Sequence, residues 1–302
     1  MKIATSTEDF GICKTDIERI TELKRCGFTY VDLSLYDGMR ADWQYFAPDW
    51  QEKILALRDA AAELGVQFVQ AHAPGGNPIS AKDHDLLLAS TIRSLEICQM
   101  LGIPNIVYHA GWETGVEKEE YFARNLAFVK ELLPTVEKTG VTLCVENSTK
   151  VNMKDMYYFF TGASMREFVE LVDHPLFGVC WDTGHANIEG HQYDEILALG
   201  DTLKMLHIND NMGGRDEHLL PYSGTLNVDE VMNALLDVGY KGYFTFEAGH
   251  EFYNYPGFPN KRHTFKRDTR ALNPSLEIHR KKVETAYVIG KYILSQYNCF
   301  EA

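Results

Sequence analysis

The chain contains no Cys-x-x-Cys pair. Its six cysteines, Cys13, Cys26, Cys98, Cys144, Cys180 and Cys299, are dispersed, which argues against a zinc ribbon or a thioredoxin-type redox motif. Cys144 and Cys180 fall inside apolar, strand-like runs, where a reduced thiol behaves as a small hydrophobe. No Gly-x-Gly-x-x-Gly turn follows the first apolar segment, so the dinucleotide-binding fingerprint of an open doubly wound sheet is missing. Positive charge is scarce, with 29 Lys and Arg against 43 Asp and Glu and a net charge of -14. Binding to nucleic acid or anionic lipid draws its energy from Lys and Arg, so neither is an expected partner. No apolar run is long enough to span a membrane. The segment 1–5 lacks the long apolar region of a secretion signal. These absences leave a cytoplasmic protein acting on small molecules as the expectation.

What is present is a regular alternation. Strand-like runs are expected at 2–5, 30–35, 66–72, 105–109, 141–146, 177–182, 203–207 and 243–247. Helical segments lie between them, several ended by a glycine such as Gly27, Gly65, Gly102 or Gly140, the expected stop signal. Continuous apolar strands separated by helices argue for a parallel sheet covered on its outside. Eight such units in 302 residues predict one closed (β/α)8 TIM barrel. The expected organisation is a single domain over 1–302, with a long loop and a final helix within 250–297.

The strands share a feature that stability does not explain. They end in His72, His109, Glu146, Asp182, His207 and Glu247, and His185 follows three residues after Asp182. In a barrel these positions meet at the C-terminal mouth, where such folds carry their chemistry. Burying Glu146, Asp182 and Glu247 together costs several kcal/mol each unless a cation or proton compensates. One divalent metal held by Glu146, Asp182, His207 and Glu247 is the simplest compensation. The mixed oxygen and nitrogen donor set suits Mn²⁺ first, with Mg²⁺, Co²⁺ or Zn²⁺ as alternatives. The loop after His207 adds Asp216 and His218. For His72, His109, His185, Asp216 and His218 two roles stay open: further metal ligation, or contacts to substrate and to the first ligands. The second is favoured. Trp112, just past His109, is a candidate to stack on a substrate ring, with plain core packing as the alternative. Trp181 precedes Asp182 and by strand alternation should face outward to the helices.

The runs Cys180-Trp181-Asp182-Thr183-Gly184-His185, His207-Ile208-Asn209-Asp210-Asn211 and Asp216-x-His218 through Gly224 resemble the xylose isomerase-like barrel superfamily. That group holds sugar isomerases and epimerases, inosose dehydratases and endonuclease IV. The resemblance to its ketose 3-epimerase branch implies a sugar or sugar-phosphate substrate and one divalent metal on Glu146, Asp182, His207 and Glu247. It also makes Glu146 and Glu247 the acid/base pair, acting through an enediolate. The endonuclease IV branch implies three zinc ions on those residues with His72, His109, His185, Asp216 and His218. Net charge favours the first branch. A lyase of the same superfamily is the alternative, either inosose dehydratase-like or the barrel subunit of a C-glycoside-cleaving enzyme; the latter implies a heteromeric partner. One departure from the epimerase pattern is that Asp216 stands two residues before His218, where an arginine is expected; Arg215 is the nearest.

Two further stretches stand out. Met153, Met156, Tyr157, Tyr158, Phe159 and Phe160 follow Glu146 and suggest a roof over the site or a contact in a homo-oligomer. Residues 261–267, Lys-Arg-His-Thr-Phe-Lys-Arg, are locally basic and read either as a solvated loop or as a seat for an anionic substrate group or a partner subunit.

Overall fold

A computed structural model describes residues 1–153, 157–190, 192–249, 252 and 262–302. The strands are β1 (Lys2–Ser6), β2 (Tyr30–Ser34), β3 (Gln67–His72), β4 (Asn105–Tyr108), β5 (Thr142–Glu146), β6 (Phe177–Asp182), β7 (Leu203–His207) and β8 (Tyr243–Phe246). All their pairings are parallel, in the spatial order β7-β6-β5-β4-β3-β2-β1-β8. The ring closes just past β7. Ile208 bridges Phe246; its N–H donates to Thr245 O at 2.8 Å, and its carbonyl accepts from Glu247 N at 3.2 Å. The fold is a TIM barrel, as the alternation implies.

The helices are α1 (Asp16–Arg25), α2 (Trp50–Leu64), α3 (His84–Leu101), α4 (Lys118–Thr139), α5 (Lys150–Met153), α6 (Gly162–Val172), α7 (Thr183–Glu189), α8 (Tyr193–Leu199), α9 (Val228–Asp237) and α10 (Leu276–Gln296). Local chemistry sets their ends. Thr15 and Glu18 form a reciprocal capping box at the start of α1, satisfying two orphan N–H groups. Gly65, Gly102 and Gly140 end α2, α3 and α4 in the left-handed conformation, which a side chain would disfavour.

The apolar core has two parts. The larger lies between the strands and the helices; Trp181 belongs to it, fully buried, its indole N–H donating to Gln192 Oε1 at 3.2 Å. The smaller fills the barrel's interior with Val107, Cys144, Cys180 and Met205. Cys180 and Trp181 thus point to opposite sides of one strand, as period-two alternation requires. All six cysteines are unpaired thiols. Two short helices, α5 and α7, were not expected from the sequence. Among the described residues no helix is long and apolar enough to cross a membrane.

Candidate active site and metal centre

Parallel strands carry the strand-end residues to one mouth. There a cavity of about 480 Å³ is lined by His72, His109, Trp112, His185, Asp216, His218 and Glu247, among others. Glu146, Asp182 and His207 do not line it; they are almost fully buried. Glu146 Oε1 and Glu247 Oε2 lie 2.6 and 3.1 Å from the same atom, His207 Nδ1. Glu146, Asp182, His207 and Glu247 each offer a donor atom within 4.8 Å of the others. Among the described residues no lysine or arginine pairs with these three carboxylates. Glu146 Oε2 is buried without a well-directed hydrogen-bond partner, though His109 Nε2 sits 2.7 Å from it. Three clustered carboxylates with no cationic lysine or arginine beside them fit a divalent cation.

Neighbouring groups hold each of these residues. Asp182 Oδ1 accepts from His185 N and Oδ2 from Asn209 Nδ2, both at 2.6 Å. The first bond starts α7, with Asp182 as its N-cap. Asn147 brackets the Asp182 backbone, accepting from its N–H at 2.6 Å and donating to its carbonyl at 2.9 Å. A second cluster stands beside the first. His185 Nε2 and His218 Nε2 lie 3.1 Å from the two oxygens of Asp216. Their other ring nitrogens face main-chain carbonyls, Asn147 O and Glu247 O, at 2.9 Å each. A third grouping joins His72, His109 and Glu146. His72 Nδ1 contacts Ala73 O at 2.7 Å, leaving Nε2 toward Glu146 and Glu247 at 3.9 and 3.8 Å.

Burial and charge pull these groups apart in acidity. Burial works to raise the Glu146 carboxyl, but His207 and His109 hold it well below the usual range. Glu247 is likewise lowered against burial, by His207. Burial pushes Asp182 up to about 7. His207 and His185 are raised against burial by the thiol and carboxylates around the first and by Asp182 and Asp216 beside the second. Asp216, with Glu247 and Asp182 farther off, raises His218 to about 10.

Residues 20–272 match the family model of the xylose isomerase-like TIM barrel. The chain belongs to this family. Fructoselysine 3-epimerase of Escherichia coli O157:H7 is 41% identical over 154 residues, covering 49% of this chain and 52% of that one. A probable endonuclease 4 of Halorhodospira halophila is 30% identical over 205 residues, covering 60% of this chain and 67% of that one. A D-psicose 3-epimerase crystallised in the presence of D-fructose superposes with a TM-score of 0.74 at 19% identity, over 97% of this chain and 99% of that one; this is a likeness of fold.

Some residues at the mouth escaped the sequence reading. Glu8, two residues beyond β1, lines the cavity and is raised to about 7 by burial and by Glu247. Tyr36 stands edge-on to His72 and His109 at 5.3 and 6.0 Å. Both follow strands that do not end in an acid or a histidine, so the strand-end signal passed them over. Arg215, absent from the expected spacing, nonetheless reaches the cavity wall. In the Met/aromatic run, Met153 lines the cavity, and Tyr157 and Phe159 are buried; Met156 lies outside the described residues. In the basic run Lys261 also lies outside them, and Arg262 Nε donates to Leu272 O at 3.0 Å.

Proposed function

We propose that the protein is a divalent-metal-dependent sugar or sugar-phosphate isomerase or epimerase that removes a proton beside a carbonyl. The observation that carries this reading is the pair of glutamates, Glu146 and Glu247, set against one nitrogen of His207 at the barrel mouth. A cation held by Glu146, Asp182, His207 and Glu247 would polarise the substrate carbonyl as a Lewis acid. The glutamates supply the proton transfers. Both are held as carboxylates by their histidine neighbours; one takes the proton next to the carbonyl, and the other, after taking up a proton from solvent, returns one. Return to the opposite face of the same carbon epimerises it; return to the neighbouring carbon isomerises the sugar. His185 and His218 line the cavity, each positioned to exchange its Nε2 contact with Asp216 for a substrate hydroxyl. His72 and His109 keep Glu146 in place, and Trp112 offers a flat apolar wall to the sugar.

Elemental analysis together with a screen of ketoses, ketose phosphates and keto-inositols tests this reading. The expected result is one Mn²⁺-class ion per chain and interconversion of a ketose with its epimer or isomer. Turnover of none of these in the presence of Mn²⁺ would contradict it. Two observations favour a second reading, a three-metal phosphodiesterase: the complete His185–Asp216–His218 and His72–His109–Glu146 groups and the similarity to a probable endonuclease 4. The net charge of -14 opposes it, since a DNA enzyme needs a basic face. Three zinc ions per chain with cleavage of an abasic-site duplex would establish it in place of the first.

A further inference from the structure

Beneath the mouth, one carboxylate has no role in the chemistry above. Asp32, at the middle of β2, is 2% exposed. Gln70 Nε2 donates to its Oδ2 at 2.7 Å. The direction of that bond is fixed from behind, because Thr245 Oγ1 donates to Gln70 Oε1 at 3.0 Å, leaving the amide nitrogen for Asp32. His207 Nε2 also lies 3.4 Å from Asp32 Oδ2, a close contact that falls short of a well-directed hydrogen bond. Its second oxygen, Oδ1, is buried without a partner. Among the described residues no lysine or arginine pairs with Asp32. A buried carboxylate so arranged costs stability, so packing does not account for it.

Its position relative to His207 does. His207 Nδ1 faces Glu146 and Glu247 at 2.6 and 3.1 Å. When an ion takes the Nδ1 lone pair, the one proton of the neutral ring stands on Nε2, the nitrogen that faces Asp32. The ring is also held flat against His72, at 5.6 Å between centroids and 12° between planes. A line of contacts therefore crosses the barrel, from Thr245 on β8 through Gln70 on β3 and Asp32 on β2 to His207 on β7. We propose that Asp32 is the positioning residue for His207: its carboxyl faces Nε2, so that the Nδ1 lone pair is presented to the ion shared with Glu146, Asp182 and Glu247. This rests on the metal reading of the site. Carboxylates that orient ligating histidines in this way commonly set metal affinity.

Mn²⁺ titration calorimetry on chelator-treated wild type and Asp32→Asn tests the proposal, with the melting temperature of each metal-free protein measured alongside. Asn keeps the size and one acceptor but not the charge. The expected result is Mn²⁺ binding weakened by roughly 10–100-fold, while the metal-free melting temperature holds. The paramagnetic resonance spectrum of bound Mn²⁺ should change in the variant. Unchanged affinity in a folded Asp32→Asn protein overturns the positioning role. If that variant does not fold, Gln70→Met replaces it: unclamping Asp32 should weaken Mn²⁺ binding, and equal binding overturns the proposal. A wild-type protein that binds no Mn²⁺ overturns the metal reading and this proposal together, and the wild-type arm alone reveals that outcome.

Discussion

At the scale of single residues, Glu146 and Glu247 are assigned two duties, ligation and proton transfer. Glu146→Gln should therefore lower kcat by at least about 100-fold, the low end for a general acid or base, with circular dichroism unchanged; a smaller loss would place the proton transfer elsewhere. The histidines give a pH signature. His185, His207 and His218 are held protonated by neighbouring carboxylates, with His218 raised from 6.5 to about 10. A group raised on folding lends stability that is complete below its unfolded value and is lost as pH rises through its folded one. Metal-free protein should accordingly lose stability from about pH 6.5 toward pH 10. Burial of Asp182, raised from 3.8 to about 7, acts with the same sign at lower pH. Because Mn²⁺ must displace the His207 Nδ1 proton, its affinity and its effect on melting temperature should grow with pH. A melting-temperature gain that is flat or falls with pH would contradict that exchange. His72, His109, Glu146, Asp182, His207 and Glu247 were legible as one group because each stands at or just past a strand end. Asp32 was not, because a mid-strand acid reads as an outward-facing polar residue until the register shows which side it faces.

At the scale of elements, the loop after β8 is held from outside the barrel. Lys282 on α10 reaches inward and donates to Gly249 O at 2.7 Å while pairing with Asp9 at 3.2 Å, both side chains 5% exposed. Gly249 N in turn donates to His218 O at 2.8 Å, so α10 braces the segment carrying Glu247. Lys282→Met should destabilise the protein by about 3–5 kcal/mol, as expected when one partner of a buried ion pair is removed. Adding Asp9→Asn should recover part of that loss; chemical denaturation of both variants checks this, and no recovery would deny the pairing. Gly249 has φ of +95° and its missing Cβ space is occupied by Lys282 Nζ and Asp9 Oδ1, so Gly249→Ala should be destabilising as well. Most strands and helices were legible from apolar runs and glycine stops. Helix α7 was not, because Asp-Thr-Gly-His reads as a loop; the Asp182 carboxylate capping His185 N is what starts it. The extended role of α10 was hidden because its contact residue, Lys282, sits in a charged stretch that looks solvent-facing.

At the scale of the whole molecule, closure of eight parallel strands brings every strand end to one rim, so polar residues far apart in sequence share a single site. That was legible once eight strand–helix units were counted, since the fold has one chemically useful end. The charge of -14 belongs to this scale too. It predicts no retention on a DNA column at physiological salt and no cutting of an abasic-site duplex; salt-dependent DNA binding would revive the phosphodiesterase reading. Chelation should abolish sugar turnover and Mn²⁺ should restore it.

The central claim is proton transfer by Glu146 and Glu247 at a carbon beside a carbonyl, and its most direct test is the reaction in D₂O with whichever ketose the screen identifies. Glu247 lines the cavity and exchanges its proton with solvent, so the product should carry deuterium at the epimerised or newly protonated carbon, and Glu146→Gln should lose conversion and labelling together. Full conversion with no deuterium at that carbon would contradict the claim and point to hydride transfer instead.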